Sequence, residues 1–204
     1  MYGLRIFANT KSTITQQALL DPSDGFGSPN LDLQWSFWHD FDVSRFTVGN
    51  GALTLVARGK SIADTSPLTT PVGGHSYTVE IDVEIEPACQ SGLLLFYDPE
   101  HATGILLDSE GIGVRLANGY VSSWLEKGAS RATLRVANDR QEVDFYFRVP
   151  GKPWQRIQES AEISGMQHNV LGGFLDVRPA LFACGSGKAT LRNFRYWPEV
   201  KVPA

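Results

Sequence analysis

Beyond about Leu31 the chain alternates apolar and polar residues in short bursts. In "HSYTVEIDVEIE", "ATLRVA" and "EVDFYF" the apolar side chains recur at every second position. A period of two puts one set on each face of a β-strand, so these segments predict strands packed on one side and wet on the other. Further β-patterned runs are "RFTVGNGALTLVA", "SGLLLFYD", "GILLDSEGIGVRLANGYVSSWLE", "WQRIQE", "LFACG" and "KATLRNFRYW". "GNG" at 49–51, "SEG" at 109–111, "ANG" at 117–119 and "NDRQ" at 138–141 each separate two such runs, as hairpin loops do. No long segment carries a helical period. The pattern predicts an all-β fold, an antiparallel two-sheet sandwich of jelly-roll type, in which two half-buried sheets cover each other. Residues 1–30, with "LLDPSDGFGSPN", read as a linker or N-terminal tail, 31–198 as the sandwich and 199–204 as a C-terminal tail.

At 204 residues and 42% hydrophobic content, one domain with a substantial core is expected. A formal net charge of -4 offers no basic field for nucleic acid or an anionic membrane, so neither is expected as a partner. No apolar run approaches the roughly 20 residues of a spanning helix, and the first residues lack the order of a signal peptide. The compartment stays unassigned. Cys89 and Cys184 fit no metal or redox spacing and read as two buried thiols. His39, His75, His101 and His168 show no zinc-ligand spacing. No cofactor is expected, with calcium at Asp98 and Glu100 as the one candidate metal site.

"YTVEIDVEIEP" (77–87) places Glu80, Asp82, Glu84 and Glu86 on one strand face. Its core "EIDVE" resembles the active-site strand of family 16 glycoside hydrolases, which implies Glu80 as nucleophile, Asp82 as its electrostatic partner and Glu84 as acid/base of a retaining β-glucan hydrolase. Retention needs the two carboxyl groups about 5–5.5 Å apart, whereas positions i and i+4 on a flat strand lie about 13 Å apart. The alternative is a solvated face with cross-strand partners such as Arg131 or Arg135, and it is the reading taken here.

A second resemblance covers the chain from about Asp24 to Trp197. "LDLQWSFWHDFDVSRFTV", "GALTLVARG", "SPLTT", "YTVEIDVEIEP", "SGLLLFYD", "VDFYFRVPGKPW", "HNVLGGF" and "ATLRNFRYW", in that order, resemble the C-terminal concanavalin-A-like sandwich of family 43 glycoside hydrolases, the β-xylosidase and arabinofuranosidase group. The match departs from the family pattern at "VPGKPW", where Pro150, Gly151, Lys152 and Pro153 replace the usual Ser and Asp-Gly turn. In that family the chemistry belongs to a five-bladed propeller, whose blades this chain does not supply. The resemblance therefore implies a non-catalytic accessory domain that contacts pentose-containing polysaccharide or oligosaccharide and partners a glycoside hydrolase catalytic domain. A protein-docking domain without sugar affinity fits the same residues.

Sugar contacts need exposed aromatic rings beside hydrogen-bonding groups. In "WSFWHD" the resemblance makes Trp35 the buried member and leaves Trp38 and Asp40 as contacts, with core packing as the competing role of Trp38. Trp154 and Trp197 read as structural. Trp124, in a polar strand, is the expected exposed platform. Tyr97 and His101, flanking Asp98 and Glu100, form a polar loop. His168, Asn169, Asp176 and Arg178 lie on an irregular loop able to reach a partner surface or simply to close on itself. No nucleophile elbow or phosphate-binding loop is present.

Overall fold

The computed structural model describes residues 21–173 and 175–203; most of the expected tail, residues 1–20, lies outside them. In chain order the strands are β1 (Ser36–Phe37), β2 (Phe46–Gly49), β3 (Ala52–Val56), β4 (Leu68–Thr69), β5 (Ser76–Ile85), β6 (Cys89–Phe96) and β7 (Ala102–Asp108). They continue with β8 (Gly111–Arg115), β9 (Val121–Leu125), β10 (Arg131–Asp139), β11 (Glu142–Arg148), β12 (Gln155–Glu162), β13 (Arg178–Gly185) and β14 (Lys188–Trp197). Two single-turn α-helices, α1 (Ile62–Thr65) and α2 (His168–Leu171), and a 3-10 turn at Val43–Arg45 sit in loops. The strands form two seven-stranded antiparallel sheets: a front sheet β12-β11-β10-β5-β14-β3-β2 and a back sheet β1-β4-β13-β6-β7-β8-β9. This is the concanavalin-A-like sandwich expected from the alternation and from the resemblance.

The period of two explains the core. On β5, Val79, Ile81 and Val83 point inward with Leu134 and Val136 of β10, and meet Leu93, Leu95 and Ile105 of the back sheet. The predicted hairpins form at "GNG", where Asn50 and Gly51 both adopt positive φ, and at "NDRQ", where Arg140 does. The back sheet departs from simple alternation. Leu94, Phe96, Leu106, Ala180 and Phe182 build a second apolar layer on its outer face, against which Trp38 and Val121 pack. That is why "LLLF" is apolar without interruption: both of its faces are covered.

The sandwich begins upstream of Leu31. Asp24 exchanges backbone hydrogen bonds with Phe194, and its carboxylate accepts from Trp35 Nε1 at 2.8 Å. Phe26 is fully buried beside Trp35. Residues 24–26 are thus part of the fold rather than of a tail, because they close the core over β14. At the other end Thr78 Oγ1 donates to the Glu199 carbonyl and accepts from Lys201 N, which ties the expected C-terminal tail onto β5.

Candidate functional site

The acid row of β5 lies at the centre of the front sheet, with arginines on both sides. Register sets Arg135 opposite Glu80 and Arg131 opposite Glu84 on β10, while β14 sets Arg195 opposite Glu80. Glu80 is 3% exposed. Its Oε2 accepts from Arg135 Nε and Nη2 at 2.8 and 2.6 Å, and its Oε1 from Arg195 Nη1 at 2.6 Å. Arg135 in turn lies 4.4 Å from the Trp154 ring and 5.5 Å from the Trp197 ring, so both tryptophans pack beside the buried ion pair. Asp82 accepts from Thr133 Oγ1 and Asn193 Nδ2, and Glu84 from Arg131 and Arg192. This geometry speaks against the glucan-hydrolase alternative. A nucleophile must reach the sugar, and Glu80 is closed off beneath two guanidiniums.

The other candidates separate by burial. Trp38 is half-buried, edge-on to Phe96 at 5.2 Å, and serves the second apolar layer; Asp40 is exposed and pairs with Arg58 at 3.8 Å. Tyr97 is no surface contact: it is buried, and its hydroxyl donates to the Gly172 carbonyl, anchoring the chain just after α2. Asp98 Oδ1 accepts from Glu100 N, His101 N and His101 Nδ1 at 2.8–2.9 Å, so this carboxylate closes its own turn. Among the described residues no group of His, Cys, Asp and Glu is arranged to hold a metal ion. Trp124, on the edge strand β9, is 39% exposed and lies against Gly113, where a Cβ would come within 3.0 Å of the ring. Tyr120, two-thirds exposed, follows the Asn118-Gly119 turn nearby in sequence. The sequence reading passed over Tyr120, although its place after a hairpin turn marks an exposed ring.

His168 and Asn169 are exposed on α2, apart from the sugar-platform candidates. Arg178 opens β13 and lines a pocket of about 500 Å³ at one end of the sandwich. The pocket gathers the 71–75 loop, the "NDRQ" turn, residues 163–167 after β12 and residues 176–178. His75, Asn138, Arg140 and Gln141 belong to it, although local sequence marked the last three only as turn residues.

At the lateral edge near β1 and β2 an apolar groove of about 540 Å³ runs past Leu33, Phe37, Phe41, Val43 and Phe46. Phe41 and Val43 are each 68% exposed, and Phe41 meets Phe37 and Phe46 edge-on at 5.9 and 5.7 Å. "HDFDVSRF" hid this patch, because its apolar residues are isolated among charges.

The model of the β-xylosidase C-terminal concanavalin A-like domain matches residues 23–197. No curated protein matches the chain. Among solved structures, the GH43 protein BlXynB of Bacillus licheniformis is 21% identical with a TM-score of 0.73, over 85% of this chain and 38% of its own. A xylan β-1,4-xylosidase of Bacillus halodurans C-125 is 19% identical, also with a TM-score of 0.73 and the same coverage of both chains. The Bacteroides ovatus xyloglucan PUL GH43B protein is 17% identical with a TM-score of 0.75, over 95% of this chain and 42% of its own. The chain thus spans about two-fifths of the length of these relatives.

Proposed function

The chain belongs to the family of β-xylosidase C-terminal concanavalin A-like domains, accessory sandwiches related to family 43 glycoside hydrolases, and we propose that its task is to contact pentose-containing carbohydrate for a catalytic domain rather than to hydrolyse it. The observation that carries this reading is the state of Glu80: the residue placed as nucleophile by the motif is buried and committed to Arg135 and Arg195. Trp124 supports the sugar contact, since a half-exposed ring beside serines suits the flat C–H face and hydroxyl rim of a pyranose.

Affinity electrophoresis in xylan and arabinan, run beside a reducing-sugar assay that includes mixed-linkage β-glucan, tests the reading. Retardation without release of reducing ends is expected. Trp124→Ala removes the retardation, whereas Trp38→Ala keeps it and lowers thermal stability, because it opens the layer under Phe96. Glucan turnover that disappears in Glu80→Gln overturns the proposal.

The apolar groove favours a second reading, docking on a protein. Leu33, Phe41 and Val43 form the kind of exposed patch that marks an interaction surface, and the catalytic portion of the longer relatives is the partner it would serve. Co-elution with a family 43 catalytic domain, abolished by Phe41→Ser, is the expected result for docking.

A further inference from the structure

The end pocket holds the two arginines that the fold leaves unused. Eleven of the twelve arginines lie among the described residues. Six pair with carboxylates, two donate to backbone carbonyls and one stacks on Trp154. Arg140 and Arg178 make no such contact among the described residues, and both line this one pocket. In a chain with more acids than bases, two guanidiniums held by no carboxylate, carbonyl or ring are out of keeping with the other nine described arginines.

The remaining lining shows which anion suits them. The floor is apolar, from buried Tyr77, Ile163 and Met166. Asn138 is 2% exposed; its Nδ2 donates to the His75 carbonyl at 2.9 Å, while its Oδ1 is left without a donor although the Tyr77 hydroxyl lies nearby. Asp176 adds a second acceptor on the rim. Two cationic forks, an acceptor without a donor, a rim carboxylate and an apolar floor match a ligand that carries a single negative charge, several hydroxyls and a C–H face. Phosphate lacks the C–H face and the array of hydroxyls, and as a dianion is opposed by Asp176. The volume falls within the range of small-molecule sites, roughly 300–1,000 Å³.

The geometry points to this pocket as a subsite for a uronic acid, its carboxylate held by Arg140 and Arg178 and its hydroxyls by Asp176 and Asn138. The inference rests on the carbohydrate-contacting reading above and names a substrate class within it. The pocket is separate from the Trp124 platform: it is built from the loops that flank β5, β10 and β13, whereas Trp124 lies on the edge strand β9.

Amide-resolved NMR titration of the full chain with glucuronate, xylose and inorganic phosphate is the test. Glucuronate is expected to shift signals of 71–75, 138–141, 163–167 and 176–178, with xylose silent there and phosphate much weaker. Arg178→Ala and Arg140→Ala, checked for folding by thermal melts, are each expected to weaken glucuronate binding roughly tenfold or more, the loss of one charge-assisted contact. Asp176→Asn is expected to let phosphate in. No response to glucuronate, equal affinity for phosphate, or unchanged affinity in both arginine variants overturns the inference. Retardation by neutral xylan with no glucuronate response removes this subsite alone. Silence toward both removes the carbohydrate-contacting function with it.

Discussion

Glu80 is a carboxylate at the middle of a sheet, and what keeps it there is the pair of arginines beside it. Removing the buried charge leaves Arg135, only 12% exposed, without compensation, and breaking a buried pair in this way costs about 3–5 kcal/mol in general. Glu80→Gln is therefore expected to lower unfolding free energy by about 3 kcal/mol in urea titrations. Glu84→Gln, whose partners Arg131 and Arg192 are largely in water, is expected to cost less than about 1 kcal/mol. Equal costs would mean that Glu80 is no more enclosed than its neighbour. The row itself was legible from spacing, and so was Arg135 as a cross-strand partner. Arg195 was not: it reaches Glu80 only because β14 slips register between Arg192 and Arg195, with Asn193 at φ 55°, and a bulge of this kind leaves no periodic trace.

At the scale of the element, the edge strand β9 shows how the two sheets are joined at one side. Ser123 Oγ donates to Glu159 of β12, and Glu126 accepts from Lys152 Nζ at 2.5 Å and Gln155 Nε2 at 3.0 Å. The Lys152 hydrogen bond, followed by that of Gln155, holds the Glu126 carboxyl below its ordinary value of 4.5, and the Ser123 hydroxyl does the same for Glu159. Because both folded values are depressed, the stabilisation is fully present above the ordinary glutamate value and is lost as pH falls through the lowered one. Amide exchange in β9 is thus expected to accelerate relative to β6 between about pH 6 and about pH 3, and the double variant Glu126→Gln, Glu159→Gln to flatten that difference. A pH-independent ratio in the parent chain would refute the edge contacts as the cause. β6 is the opposite case: its apolar run is covered on both faces, and the residues that cover the outer one, Trp38 and Val121, come from remote segments.

At the scale of the whole molecule, the two thiols report on the integrity of the sandwich. Cys89 faces the central core and Cys184 the outer apolar layer, on opposite sides of the back sheet, so they cannot bridge without unfolding it. Burial pushes the Cys89 thiol up to about 12, with Cys184 adding to the shift, and the Cys184 thiol up to about 11, with Asp108 and Asp64 contributing. A thiol reagent at neutral pH is expected to find no reactive group in the folded protein and two in denaturant, with identical mobility on reducing and non-reducing gels. Most of the strands, the core-facing side of each alternating strand and the shared face of the acids were determined by the sequence alone, because a side-chain period of two is a local property of the backbone. The tertiary structure alone decided that Glu80 is enclosed, that Tyr97 is an internal anchor, and that Arg140 and Arg178 share one pocket. Those placements follow from strand order and register, in which residues dozens of positions apart become neighbours through pairings that no local pattern encodes.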